Sequence, residues 1–337
     1  MGEIKKYSII LPVRNGGDYL KRCVDSILNQ KSDSFNLIVL DNYSTDGTSE
    51  WLQSIKDPRM VIHRSARSLT IEENWGRALT VPKNEFMTLI GHDDILEPNY
   101  LEVMDELMNK YPTASLFQTH FNYIDGNGKT VRKCKEMNEV ETAGEFLATF
   151  LNNRIDIMGT GFMMRSRDYE KAGGIPDYPN LLFADFELWL ELTQLSFKAT
   201  APEVCFSFRI HQSTTSTSPD IKMHQAFERF IYYLHSKQKK SKEFGDIISR
   251  NAVSFISFYC KGLSHRLLRT TLDKRGALTV SVFIRKCKEY ADLLAPGNVY
   301  NPIAVNSVRL AKVLDSTSAG RKLFLLFKRF YRRPVLK

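Results

Sequence analysis

Cysteine is scarce in this 337-residue sequence, and the five present (Cys23, Cys134, Cys205, Cys260 and Cys287) are too few and odd in number for a disulfide-built fold. None forms a C-x-x-C pair and no histidine stands at zinc-finger spacing, which argues against structural zinc. This usage fits a reducing cytosol, so a cytoplasmic location is expected. Long apolar runs are also missing: no segment reaches the roughly 18 residues that a bilayer span needs. The N-terminal stretch Tyr7–Val13 is interrupted by Arg14 and Asn15, too early for a signal peptide or anchor. G-x-x-x-x-G-K-[ST], H-E-x-x-H and G-x-S-x-G are absent, so P-loop, zincin and common serine-hydrolase chemistries lose support. Gly159-Thr160-Gly161 starts like a dinucleotide loop, but it lacks the third glycine and does not follow the first strand, which removes a Rossmann cofactor.

What is present is a globular balance, with 43% hydrophobic and 25% charged residues, so disorder is excluded and a sizeable core can form. Lysine and arginine number 47 against 38 acids, and the net charge of +9 points to an anionic partner: a nucleotide, a nucleic acid or a membrane surface.

Along the first two hundred residues, short β-rich runs alternate with amphipathic ones, the pattern of an α/β domain with a mostly parallel sheet flanked by helices. Tyr7–Val13, Phe35–Asp41, Met60–His63, Phe86–Gly91 and Ser115–His120 read as strands. Asp18–Gln30, Thr48–Ile55, Ile71–Val81 and Pro98–Tyr111 read as helices. Polar clusters that follow the strands therefore lie at the carboxyl edge, where open α/β sheets bind ligands. The Ser/Thr-rich stretch 211–220 marks a boundary. Two parts are expected, 1–215 and a basic helical extension 216–337, in which Phe227, Phe230, Ile231 and Leu234 share one helix face.

Four clusters could carry chemistry. Asp41 to Thr48 is an acidic, hydroxyl-rich turn after a strand: Asp41 can accept a pyrimidine imide N–H, while Asp46 or Thr45 can equally serve as a helix cap. His92-Asp93-Asp94 ends a β-rich run, and two adjacent acids at a sheet edge suit Mg²⁺ or Mn²⁺ carrying a nucleoside diphosphate, or are simply solvated acids in a loop. Asp185 opens an amphipathic helix whose dipole would keep it ionised as a general base, or is only a cap. In Phe208-Arg209-Ile210-His211 the imidazole can bind metal and the guanidinium can meet phosphate, although a loop histidine is more often polar surface.

In order, these elements resemble the family 2 glycosyltransferases, which have the GT-A nucleotide-sugar-binding fold. The resemblance covers roughly residues 7–215. Ser8-Ile9-Ile10-Leu11-Pro12-Val13-Arg14-Asn15 is similar to the family's opening strand, Asp41 to Thr48 to its D-D-G-S-x-D-G-T, and Glu73-Asn74-Trp75 to the helix beside the nucleotide. His92-Asp93-Asp94 stands at the place of D-x-D, Asp185 at that of the base, and His211 at that of a late metal-binding histidine. There are departures: Asn42 and Tyr43 replace an Asp and a Gly, Gly91 replaces the first acid of L-D-x-D-D, and Ala184 replaces a Glu.

The resemblance implies an inverting, metal-dependent transfer of sugar from a nucleotide-sugar, with UDP favoured and dTDP open, to a glycan hydroxyl. It assigns Asp185 as catalytic base. Pro12, Arg14, Asp41, Asn74 and Asp93 are expected at the nucleotide, Asp94 and His211 at Mn²⁺ or Mg²⁺, and Arg209 at phosphate. Met158 to Arg165 is similar to the loop beneath donor sugar and acceptor, or is a core strand with two packing methionines. An acceptor on a polyprenyl lipid, in O-antigen or capsule synthesis, is implied by family habit. The acid-free tail 321–333 mixes aromatics with bases and suits an anionic membrane surface, making the enzyme peripheral on the inner face, or is a final packed helix. No nucleic-acid motif accompanies it, so no nucleic-acid partner is expected. A sugar-nucleotide nucleotidyltransferase would need a Gly-rich basic opening loop, and a non-catalytic sugar-binding scaffold would lack the acids; neither matches.

Overall fold

The computed structural model describes residues 5–210 and 221–330. These fall into two compact units, one running to Phe146 and from Ile155 to 210, the other comprising Leu147–Arg154 and the residues from 221 on. The expected boundary at 215/216 lies outside the described residues. The division also differs in that Leu147–Arg154 belongs to the second unit. Phe150 packs there on Phe230 and Phe255, with ring centroids 5.8 Å apart in each case, and Asn152 donates to Asn251 at 2.8 Å.

The first unit is built on a ten-stranded mixed sheet. Its elements in chain order are β1 (Tyr7–Val13), α1 (Gly17–Leu28), β2 (Phe35–Asp41), α2 (Thr48–Ser54), β3 (Met60–Ile62), α3 (Ile71–Gly76), β4 (Phe86–Leu89), β5 (Ile95–Leu96) and α4 (Tyr100–Lys110). There follow β6 (Leu116–Ile124), β7 (Thr130–Lys133), β8 (Val140–Glu141), α5 (Ala143–Leu151), β9 (Phe162–Arg165), α6 (Ser166–Lys171), α7 (Ala184–Thr193) and β10 (Lys198–Arg209). The order across the sheet is β3-β2-β1-β4-β9-β6-β10-β5.

Every residue of β1 is buried, as expected of a largely apolar strand covered on both faces, and its one hydroxyl, Ser8 Oγ, donates to Asn36 Oδ1 at 2.7 Å. β1 is parallel to both β2 and β4. The chain moves outward from β1 through β2 to β3 and then returns to β1's other side with β4, so the strand order reverses between β1 and β4. Such reversals open a crevice at the carboxyl edge. Pairing with β4 ends at Ile10↔Leu89 while pairing with β2 continues to Val13↔Asp41. Pro12, which has no N–H to donate, therefore sits beyond the last β4 rung.

β9 departs from the parallel expectation by running antiparallel to both β4 and β6. Met163 and Met164 lie fully in the core, which settles Phe162–Arg165 as a packed strand. Gly161 enters it at φ +86°, and a Cβ there would lie 2.0 Å from the Phe206 ring, so only glycine fits.

The second unit contains helices α8 (Lys222–Lys240), α9 (Lys242–Arg269), α10 (Val280–Leu294), α11 (Asn306–Asp315) and α12 (Ser318–Phe330). The expected face Phe227, Phe230, Ile231 and Leu234 is buried in its core. Asp315 is the polar anchor: Arg275 donates to its Oδ1 at 2.6 Å, and the Val280 amide at the start of α10 donates to Oδ2 at 2.8 Å. Among the described residues no helix is long and apolar enough to cross a membrane.

Candidate active site

The loops after β1 and β2 are stitched side by side. The Asn15 amide donates to Ser44 Oγ at 2.9 Å, the Thr45 amide to Asn15 Oδ1 at 2.9 Å and the Gly16 amide to Thr48 Oγ1 at 3.0 Å. Asp46 accepts from the Thr48 amide at 3.1 Å, capping the start of α2. Arg14 projects from the same edge and is exposed.

Asp41 ends β2 fully buried. Its Oδ1 accepts from the Ser44 amide at 3.1 Å and its Oδ2 from the Ser49 hydroxyl, with Arg64 Nε 3.6 Å away. The Arg64 guanidinium also lies over Tyr43, 5.4 Å from the ring centroid. Arg64, a residue the sequence reading passed over, thus places a positive charge beside Asp41 at this turn. Asn42 bonds Leu69 through both its side-chain atoms, at 3.0 and 2.7 Å, and so anchors the loop before α3. That explains an amide where the family has an acid.

Asn74 differs from expectation. It is buried, donates to the Leu40 carbonyl at 3.3 Å and accepts from Arg77 at 2.9 Å. Arg77 in turn bonds the Asp41 carbonyl at 3.2 Å and the His63 carbonyl. The pair fastens α3 to the ends of β2 and β3, so Asn74 braces the turn after β2.

The diacid follows β4 across the crevice. Asp94 is 2% exposed; its Oδ2 accepts from Thr160 Oγ1 at 2.6 Å and its Oδ1 from the Arg209 amide at 3.0 Å. Burial first, and then the neighbouring Asp93 charge, push the Asp94 carboxyl well above the usual range. Asp93 is half-buried, and a Cβ on Gly91 would lie 2.9 Å from its Oδ1 and 3.2 Å from Asp94 Oδ2. Gly91 therefore leaves the space in which the two acids converge. Two hard carboxylates side by side suit a divalent cation whose remaining ligands are diphosphate oxygens and water. The described residues hold no cluster of three metal-ligating side chains, and His211 lies outside them.

Arg209, expected at phosphate, is instead 2% exposed in β10. Its Nε donates to the Asp93 carbonyl at 2.8 Å, its Nη1 to the Asp125 carbonyl at 2.9 Å, and the guanidinium lies 4.7 Å from the Tyr19 ring centroid. These bonds hold the diacid turn against β10, while the buried Nη2 has no hydrogen-bond partner among the described residues.

Asp185 stands in the first turn of α7, after Phe183 at φ 71°. Trp189 fixes this helix by stacking on Phe162 at 4.5 Å and donating to the Met158 carbonyl at 3.1 Å. No hydrogen-bond donor among the described residues reaches the Asp185 carboxylate, and desolvation pushes its pKa up to about 7. The helix dipole does not hold it in the ordinary acid range, contrary to expectation. A Cβ on Gly159 would lie 3.2 Å from Asp185 Oδ1, so the Gly159 backbone lies directly against the carboxylate. The next residue, Thr160, bonds Asp94 and accepts from the Gly91 amide at 3.0 Å. Two consecutive residues thus join Asp185 to the diacid, and the failed dinucleotide loop is a bridge between them.

Residues 8–173 match the family described as glycosyl transferase family 2. The chain is 29% identical to the glycosyltransferase GlyG of Streptococcus pneumoniae over 36% of its own length and 41% of that protein's. It is 24% identical to a glycosyltransferase of Haemophilus influenzae, covering 85% of this chain and 92% of that one. It is 26% identical to TuaG of Bacillus subtilis, a putative teichuronic acid biosynthesis glycosyltransferase, over 63% of this chain and 81% of that one. Among solved structures, residues 1–349 of S. aureus TarS in complex with UDP-GlcNAc superpose with a TM-score of 0.65 at 13% identity, over 98% of this chain and 95% of that one. That likeness establishes the mixed α/β, GT-A-like fold with its C-terminal helices. With the sequence motifs, the crevice and the family match in agreement, the chain belongs to the family 2 glycosyltransferases.

Proposed function

We propose that the enzyme transfers a sugar from a nucleotide-sugar, a UDP-sugar rather than a dTDP-sugar, to a glycan hydroxyl during cell-envelope polysaccharide synthesis, with inversion at the anomeric carbon. The observation that carries this reading is the bridge of Gly159 and Thr160, which puts Asp185 beside the buried Asp94 of the diacid at the sheet's carboxyl edge. TuaG's role in teichuronic acid biosynthesis and the UDP-GlcNAc bound to TarS support the substrate class.

In this mechanism the base packs at the turn after β2, with Arg64 beside Asp41 and Arg14 at the mouth. Asp94, with Asp93 beside it, would hold Mn²⁺ or Mg²⁺, which when bound would offset the charge of the diphosphate. Thr160 and Arg209 keep Asp94 in one orientation. Asp185, deprotonated, accepts the proton of the acceptor hydroxyl as its oxygen attacks the anomeric carbon and the bond to the nucleoside diphosphate breaks. A base with a pKa near 7 is matched to neutral pH, because it is part ionised yet still proton-seeking.

The acceptor is carried on a polyprenyl lipid, and the enzyme docks on the anionic inner face of the membrane through α12. There Leu323, Leu326, Phe327 and Phe330 recur at helical spacing and are all more than half exposed, among Lys322, Lys328 and Arg329. Deleting residues 321–337 should abolish sedimentation with phosphatidylglycerol liposomes; unchanged sedimentation overturns the docking. For the chemistry, the test is UDP release from a panel of UDP-sugars with envelope glycan acceptors. Asp185→Asn should retain UDP binding and lose turnover, and retained turnover would remove Asp185 as base.

A further inference from the structure

Within the helical unit, a groove of about 1130 Å³ runs between α9, α11 and α12. Its apolar wall includes Phe258, Leu310, Leu323 and Phe327, and these four side chains are 54%, 55%, 63% and 54% exposed. Four large hydrophobes left more than half in water along one trough form the kind of patch that marks a binding surface. Its second component is charge. On α9 the residues Phe258, Lys261, His265 and Arg269 follow one another at helical spacing and all line the groove, about 16 Å of helix at 1.5 Å per residue. Lys261 and Arg269 are exposed, and His265 is oriented by its Nδ1, 2.8 Å from the Lys261 carbonyl. Among the described residues that line the groove, none is Asp or Glu. One end of a single helix face is thus aromatic and the other basic.

We infer that this groove binds one molecule of a long-chain lipid phosphate, with its chain along Phe258, Leu310, Leu323 and Phe327 and its phosphate head at Lys261, His265 and Arg269. Charge complementarity selects the occupant: an apolar peptide would leave the basic stripe unmatched, and inorganic phosphate would leave the hydrophobic wall in water. A lipid phosphate satisfies both. The site rests on the lipid-carried acceptor reading for its biological meaning, but its ligand binding stands by itself. It shares Leu323 and Phe327 with the proposed bilayer face, whereas Leu326 and Phe330 lie outside the groove lining and let the two be tested separately.

The probe is farnesyl phosphate below its aggregation concentration, titrated calorimetrically into the full chain, with farnesol and inorganic phosphate as controls. Wild type should bind farnesyl phosphate about tenfold or more tightly than farnesol, as expected when a phosphate meets two or three bases, and inorganic phosphate should give no heat. Lys261→Glu/Arg269→Glu and Phe258→Glu should each weaken farnesyl phosphate by at least about tenfold, whereas Phe258→Leu retains it. Leu326→Glu/Phe330→Glu should leave farnesyl phosphate binding intact and reduce liposome sedimentation. These substitutions are at exposed positions, and circular dichroism checks the fold. Absence of binding, equal binding of farnesol, or a dimer in sedimentation velocity that Phe258→Glu dissociates, each overturns the site; the last would identify a second copy as the occupant. Loss of farnesyl phosphate binding in these variants with unchanged transfer activity would count against the acceptor reading alone.

Discussion

Replacing Asp185 by asparagine should make the catalytic unit more stable while making it inactive, and the stability gain should depend on pH. The carboxyl ionises at an ordinary 3.8 in the unfolded chain and at about 7 in the folded one, because the site takes away much of its water and offers no hydrogen-bond donor among the described residues. The folded state therefore holds the proton more tightly, and stability falls as pH rises from about 4 to about 7. At ~1.4 kcal/mol per tenfold change in proton affinity, the cost of the ionised carboxylate above pH 7 is at most about 4 kcal/mol, and less to the extent that the partly exposed side chain keeps water. Asparagine keeps the shape and has no charge to desolvate. The variant and wild type should thus be equally stable near pH 4, with the variant ahead by up to about 4 kcal/mol at pH 8. All three tryptophans, Trp51, Trp75 and Trp189, lie in the catalytic unit, so urea unfolding followed by their fluorescence reports on that unit. In the same series, wild-type kcat/KM should rise with pH to a plateau above about 7, and Asp185→Asn should lose ~10²–10⁴-fold at the plateau. A stability difference that does not change between pH 4 and pH 8 would refute the desolvation argument, whatever the activity.

Other substitutions probe the remaining links. Thr160→Val strands Asp94 Oδ2 and the Gly91 amide without their partner, so it should cost about 1–3 kcal/mol and at least about tenfold in kcat/KM, with Thr160→Ser restoring both; an unaffected rate would dissociate Thr160 from the site. Gly161→Ala places a carbon against the Phe206 ring at a left-handed φ and should lower the urea midpoint by the equivalent of more than about 2 kcal/mol, a neutral result contradicting the strand geometry. Lys198 and Glu141 form a buried pair at 2.8 Å, so Lys198→Met alone should destabilise by about 3–5 kcal/mol and Lys198→Met/Glu141→Leu much less, as read by thermal unfolding.

Much of the catalytic unit was legible because its strands are continuous apolar runs and its helices have clear periods. Tyr7–Val13 and Phe35–Asp41 appear with the expected bounds, and Asp41, Asp93, Asp94 and Asp185 each stand at the element end anticipated for them. β10 was not legible: its pairing with β6 shifts register between Ala201 and Val204, around Pro202, and its buried Lys198 hides the apolar pattern. The duties of Asn74 and Arg209 were equally hidden, since each is set by partners far along the chain, Leu40 for one and the Asp93–Asp94 turn for the other. Residue type indicates what a side chain can bond; only the fold determines whether a protein carbonyl or a ligand gets there first. Thr160 could have been suspected as a hydroxyl between two glycines, but nothing local to it indicates Asp94.

The most direct test of the account is calorimetric titration of UDP and dTDP, each with Mn²⁺ and with EDTA, into wild type, Asp93→Ala and Asp94→Ala. The account predicts UDP binding that requires the metal, exceeds that of dTDP, and is lost when either acid is removed. Absence of nucleotide binding, or binding that is the same in EDTA and in both variants, would contradict it.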